Sequence, residues 1–355
     1  MDKTFLTSLA ASLHVAGLQD EDLSLVSQPS LGDRESRWVE DVAQYALELD
    51  NYWGRRTEQG RAETKREFKA PLRFSDFKPI GEGGMSVVYS AFDETTKETV
   101  AIKAGNSLRE NSEFIKREFR ALAKIRHPNL VVLKELHQFD DSIFFTMEYV
   151  RGESFNSKSV TKKTDGTRWQ PKPLAELCAR LLQLVDGIAF LHRMEFVHCD
   201  IKPSNILVTQ GGRVVVLDLG LAQSTNRRQR THAFGGTSVY MSPEQASGEP
   251  PQFATDWYAF GIVMFETLFG YRPFQGVPID VLFDKLAGNV TAPSLEDTGV
   301  PDSLSRLCLS LLSPSPADRP LVEDIRRCLE GFSKQPTASI KSSSPETVFL
   351  SLIHI

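Results

Sequence analysis

The sequence predicts an α+β chain in two lobes, a small sheet-rich one followed by a larger helical one. Three observations lead there. Short strand-like runs at 77–80, 87–92, 99–103, 130–136 and 143–149 crowd the first part, with one helical period at 113–125 among them. From 174 onward the apolar residues fall at helical spacing, with 214–217 as the strand exception. Between these stretches, 156–173 is polar and turn-rich and reads as a mobile loop joining the lobes. A cleft between two such lobes is a natural place for a ligand.

The elements follow in order. At the start, Phe5, Leu6, Leu9 and Leu13 lie at helical spacing, and Trp38, Val42, Tyr45, Leu49 and Tyr52 form one face of an amphipathic helix. A charged stretch, 55–69, then reads as a linker, so 1–70 is a helical N-terminal extension and linker. Its apolar face predicts docking on the next domain, on a partner, or on a second copy of the chain. Residues 71–332 carry the strand and helix signals just described and form one domain. Residues 333–355 are a Ser/Pro-rich linker or a truncated tail. The last six, 350–355, read either as a short apolar tail or as translated sequencing-adapter sequence, with the natural chain continuing beyond it.

Composition excludes several classes. The 355 residues are 41% hydrophobic and 25% charged, as in ordinary globular proteins. A net charge of −5 offers no global attraction for nucleic acid or anionic lipid, and the basic cluster Arg227, Arg228 and Arg230 is local. No run approaches the ~20 apolar residues that span a bilayer. The first 18 residues are interrupted by Asp2, Thr4, Ser8 and His14, which fits a helix better than a signal peptide. The four cysteines, Cys178, Cys199, Cys308 and Cys328, lack metal-ligand spacing and read as reduced thiols. The expectation is a cytoplasmic protein without nucleic-acid or membrane partners.

Chemistry concentrates in His198-Cys199-Asp200-Ile201-Lys202-Pro203-Ser204-Asn205, where an acid and an amide stand five residues apart. The apolar run 214–217 then delivers Asp218 into Gly220. Two acids and an Asn suit magnesium on a polyphosphate and a hydroxyl steered toward its terminal phosphoryl group. Upstream, Ile80-Gly81-Glu82-Gly83-Gly84-Met85-Ser86-Val87-Val88 lies between two strand-like runs, and its glycines let backbone approach phosphates closely. A dinucleotide fingerprint fails there, because Ser86 holds the third glycine position and a strand follows. A Walker loop fails for want of Gly-Lys-Ser/Thr. Val100-Ala101-Ile102-Lys103 sets a lysine on an apolar strand, and Glu118 falls within the helical stripe of Ile115, Leu122 and Ile125. A carboxylate facing inward needs a cation, and Lys103 is the natural partner.

Taken in order, these motifs resemble those of protein kinases. The closest pattern is the bacterial serine/threonine kinases of the eukaryotic-like, or Hanks, type. Thr146-Met147-Glu148-Tyr149-Val150 resembles the hinge between the lobes, and Gly236-Thr237-Ser238-Val239-Tyr240-Met241-Ser242-Pro243-Glu244 resembles the peptide-docking segment. The resemblance covers about 75–332. It implies the bilobal protein kinase fold and transfer of the ATP γ-phosphoryl group to Ser and Thr hydroxyls of proteins. ATP and Mg2+, with Mn2+ as an alternative, are the implied cofactors.

Asp200 is then the catalytic base, Lys202 steadies charge on the moving phosphoryl group, and Asn205 and Asp218 hold the metal. Ile80, Gly81, Gly83, Val88, Ala101, Lys103, Glu118, Met147, Glu148 and Val150 surround the nucleotide, with Met147 behind the pocket as gatekeeper. His198, Asp256, Gly261 and an Arg319–Glu244 pair are structural. Ser86, Leu219 and Ser242 depart from the family pattern conservatively. Cys199 departs from it more sharply, replacing the arginine that binds a phosphorylated activation segment. A thiol carries no positive charge, so activity is expected to depend little on phosphate at Thr225 or Thr231. Two rival readings are a catalytically weak pseudokinase or scaffold and a small-molecule phosphotransferase. The second class lacks the 236–244 docking segment.

Overall fold

In the first lobe five strands alternate side chains between two faces. They are β1 (Phe74–Glu82), β2 (Ser86–Asp93), β3 (Glu98–Gly105), β4 (Leu133–Phe139) and β5 (Ser142–Glu148). They pair as an antiparallel sheet in the order β1-β2-β3-β5-β4. The two-residue period of β3 explains its sequence. Val100, Ile102 and Ala104 pack with Phe74, Ala91 and Phe144 in one small core. Ala101 and Lys103 take the opposite face, and both are buried. This computed structural model describes residues 71–82, 86–105, 116, 119–120, 122–139, 142–162, 169–171, 173–219, 223–224, 239–276, 278–290 and 300–333. The 1–70 extension and the 334–355 tail therefore lie outside the described residues. Of the helix expected over 113–125, Lys116, Phe119, Arg120 and Leu122 are described and helical.

Two sequence expectations are corrected. The run expected as a strand at 130–136 pairs in the sheet only from Leu133 on. The residues before it turn to the other lobe: Val131 N–H donates to the Val216 carbonyl at 3.0 Å, Val216 N–H donates to the Asn129 carbonyl at 2.9 Å, and Leu130 and Val216 form an isolated parallel bridge. The 156–173 stretch, expected as a loop, carries a short helix, α1 (Phe155–Ser159), and a hairpin of β7 (Val160–Lys162) and β8 (Trp169–Pro171). Fully buried Phe155 anchors the helix, and the Asn156 amide donates to Glu266 at 3.0 Å.

The second lobe is built around α2 (Leu174–Arg193) and α4 (Phe253–Phe269). Helix α4 is buried on almost every side from Thr255 to Leu268, as its apolar sequence requires of a central helix. A Cβ at Gly261 would stand 2.8 Å from the Leu311 Cβ, so the glycine permits close approach of α6 (Asp302–Leu311). A short helix, α3 (Pro243–Ala246), precedes α4, α5 (Pro278–Ala287) follows it, and α7 (Val322–Ser333) packs on α2.

The strand content of this lobe exceeds the expectation. Besides β11 (Val214–Val216), Ile206–Thr209 is strand β10, paired with β11 on one side and β6 (Gly152–Ser154) on the other. The sequence reading missed β10 because four residues are too few to display a period. A two-stranded pair of β9 (Phe196–Val197) and β12 (Gln223–Ser224) completes the strands. Among the described residues no helix is long and apolar enough to cross a membrane.

Candidate active site

The β10–β11 hairpin sets the register of the site. Ile206 pairs with Val216, and the next pair outward is closed by Leu217 N–H donating to the Asn205 carbonyl at 2.8 Å. Asn205 at the mouth of β10 therefore faces the chain that delivers Asp218. That chain turns sharply at Asp218, which adopts the left-handed region with φ 51°, an uncommon conformation for a residue bearing a side chain. Its carboxylate is ion-paired with the buried Lys103 ammonium from β3, which joins the two lobes across the cleft.

The 198–205 loop is fixed from below by Asp256, which is fully buried near the start of α4. Its Oδ2 accepts from His198 N–H at 2.8 Å and its Oδ1 from Cys199 N–H at 2.9 Å. His192 Nε2 lies 2.8 Å from Oδ2 as well. These contacts hold Cys199 in the left-handed region, φ 67°. The buried His198 ring then props the loop. With its proton on Nε2 it donates to the Leu217 carbonyl at 3.0 Å, while Nδ1 accepts Asp200 N–H at 3.2 Å. His198 is thus a spacer between the loop and the strand leading to Asp218.

Asp200 sits at the centre. Lys202 Nζ lies 2.9 Å from its Oδ2, and the Asn205 amide donates to the same oxygen at 2.8 Å and to the Asp200 carbonyl at 2.9 Å. Burial raises the Asp200 pKa from its ordinary aspartate value, and Lys202 offsets only part of that. With its amide nitrogen committed to Asp200, Asn205 has its amide oxygen left as an acceptor for a cation.

The remaining site residues fall as follows. Ala101 is buried on the same strand face as Lys103, and Val88 of β2 pairs with Gly81 of β1 at the end of that hairpin. Ile80 is half exposed. Met147 is partly buried against the main core, and Val150 packs there too. Glu148 N–H is taken by the Val132 carbonyl at 2.8 Å. Its carboxylate points to Arg213 in the β10–β11 turn, with bonds of 2.6 and 3.0 Å. Gly83 and Glu118 lie outside the described residues, so the Lys103–Glu118 pairing falls there too; the described partner of Lys103 is Asp218. Thr225, Arg227, Arg228, Arg230, Thr231 and Thr237 also lie outside.

The segment after the site is held down at several points. Arg319 makes a bidentate pair with Glu244, 2.7 Å at each oxygen, and both side chains are buried. Burial favours the neutral Glu244 carboxyl, but bonds from Arg319 and Thr255 outweigh it and leave the pKa lowered. Tyr240 donates to Glu266 at 2.7 Å. Lys285 on α5 donates to the Val239 and Met241 carbonyls, each at 2.7 Å. Its burial lowers its pKa to about 7. Sequence reasoning missed Arg213, Glu266, Gln245 and Lys285. For Lys285 a signal exists: it follows the core residue Val281 by one helical turn and so shares its buried face.

A family model described as the protein kinase domain matches residues 74–328. The chain is 31% identical over 282 residues to a probable serine/threonine-protein kinase of Clostridium perfringens, covering 77% of this chain and 40% of that protein. It is 34% identical over 254 residues to the serine/threonine-protein kinase PrkC of Bacillus subtilis, covering 70% and 38%. It is also 31% identical over 274 residues to the tyrosine-protein kinase MasK of Myxococcus xanthus, covering 72% and 42%. The chain thus spans about two fifths of the length of these relatives.

Proposed function

The chain belongs to the protein kinase family, and from that premise we propose that it transfers the γ-phosphoryl group of ATP to Ser and Thr hydroxyls of proteins. The observation that carries this reading is the Asp200 carboxylate, buried between Lys202 and Asn205 beside the hairpin that delivers Asp218. A substrate hydroxyl set against Asp200 is oriented by an acceptor that burial and two neighbours hold in place. Its proton passes to the carboxylate as the oxygen takes the phosphoryl group. Lys202 then steadies charge on the transferring group. Lys103 binds the nearer phosphates, and the adenine lies between Val88 and Ala101 on one side and the 147–150 hinge backbone on the other.

Asn205 and Asp218 would hold magnesium. Among the described residues no cluster of three or more His, Cys, Asp or Glu is assembled. One carboxylate and one amide oxygen therefore fit a cation that keeps its waters and takes phosphate oxygens, as magnesium does. When bound, the cation neutralises charge on the phosphates. Residues 71–332 are proposed as the kinase unit, and Ile80, Gly81, Gly83, Glu118, Met147, Glu148 and Val150 complete the nucleotide site.

The test is transfer of labelled γ-phosphate from Mg-ATP to a mixture of generic proteins, followed by phosphoamino-acid analysis. Phosphoserine and phosphothreonine are expected, with loss of transfer on chelation. Phosphotyrosine alone, label only on small molecules, or no transfer would each overturn the reading.

A further inference from the structure

The backbone of Cys199 is gripped at both ends. Its N–H goes to Asp256 at 2.9 Å, and its carbonyl accepts the Gln245 side-chain amide at 3.0 Å. The second grip comes from within α3, far away in sequence and next to the buried Glu244–Arg319 pair. Gln245 is itself held on its other atom. Its Oε1 accepts from Ser242 N–H at 3.1 Å and lies 3.3 Å from the Ser242 hydroxyl, and Gln245 N–H donates back to that hydroxyl at 3.3 Å. One planar amide therefore spans the two segments, its oxygen on the segment before α3 and its nitrogen on the loop that carries Asp200.

We propose that Gln245 is a positioning residue for phosphoryl transfer, which couples the 239–245 segment to the Asp200 loop by holding the Cys199 carbonyl. Cys199 sits in a left-handed conformation that an L residue adopts only where its surroundings impose it, and it is bonded directly to Asp200. Release of its carbonyl leaves the peptide plane before Asp200 held more weakly, through the Asp200 N–H on His198 Nδ1 at 3.2 Å, which loosens the acceptor relative to the hydroxyl. The contact is made by the backbone of residue 199, so it is indifferent to that residue's side chain. It needs neither a positive charge at 199 nor a phosphate on the chain. The inference rests on the kinase reading above and deepens it by naming what holds the reacting loop to the neighbouring segment.

A plainer role for Gln245 is helix capping, since Ser242 and Gln245 form a capping box at the start of α3. Glutamate serves in that box as well as glutamine. The two roles therefore separate in one substitution. Gln245→Glu keeps an oxygen for Ser242 but sets a second oxygen against the Cys199 carbonyl. Gln245→Met removes both bonds without adding charge.

The experiment measures kcat, the KM for ATP and Tm of the full chain and both variants. The coupling role predicts that kcat falls about tenfold or more in each variant, while the KM for ATP stays within about twofold. A capping role alone predicts wild-type kcat in the Glu variant, and in the Met variant a lower Tm with kcat unchanged. A kcat within about twofold of wild type in either variant overturns the inference. Absence of transfer by the wild-type chain overturns the kinase reading, and the inference falls with it. Transfer by the wild type with an unaffected Glu variant overturns the inference alone.

Discussion

Asp200 is placed where burial works against its charge. Its raised pKa means that ionisation is completed at a higher pH than for an ordinary aspartate. The sign for the fold follows: the folded-state value lies above the unfolded one, so stability is lost as pH rises through that window, and the ionised group burdens the fold at neutral pH. Transfer needs the ionised form, so the acid limb of the pH profile of kcat/KM is expected above the usual aspartate range. Asp200→Asn is expected to lower kcat by roughly a hundredfold or more while leaving Tm unchanged or higher. Near-wild-type kcat, or an acid limb at the ordinary aspartate position, would contradict this. Asp200, Asn205 and Asp218 were legible in the sequence because the residues that meet there are close along the chain or joined by one short hairpin. Arg213 and Gln245 were not, because each acts on a group 46 to 85 positions away, and nothing local marks such a contact.

At the scale of elements, α3 is held by a buried ion pair, which no short helix supplies for itself. Arg319 bonds Glu244 twice, donates to the Ser313, Pro314 and Ala254 carbonyls at 2.9, 3.1 and 2.9 Å, and lies over the Tyr258 ring. Removal of one partner leaves a buried charge uncompensated, so Arg319→Met is expected to cost about 3–5 kcal/mol in urea unfolding. A loss below about 1 kcal/mol would mean that water reaches Glu244 in the variant. This pair was legible from its motif. The short β10, the shifted start of β4 and the hairpin within 156–173 were not. Their boundaries are set by partners in the other lobe or across a sheet, and three or four residues display no period of their own.

At the scale of the molecule, the two lobes meet through a few specific bonds as well as through the main core. Among them are Lys103 with Asp218, Arg213 with Glu148, and the backbone exchange between 129–131 and Val216. The match to the protein kinase domain begins at residue 74, so a chain lacking residues 1–70 is expected to stay folded, with a single cooperative unfolding transition and retained transfer. Insoluble or non-cooperative protein would show that the extension completes the core. The overall two-lobe order was legible because strand and helix periods segregate along the chain, whereas the docking of one lobe on the other was not. That docking also orders events on the ribosome. The sheet strands emerge first and can pair among themselves, but the backbone groups of Asn129 and Val131 await Val216. At roughly 5–20 residues per second, the wait lasts several seconds. For that time the nascent chain presents an unpaired edge beside the apolar side chains of Leu130 and Val131, and it is closed only when the strand that leads to Asp218 arrives.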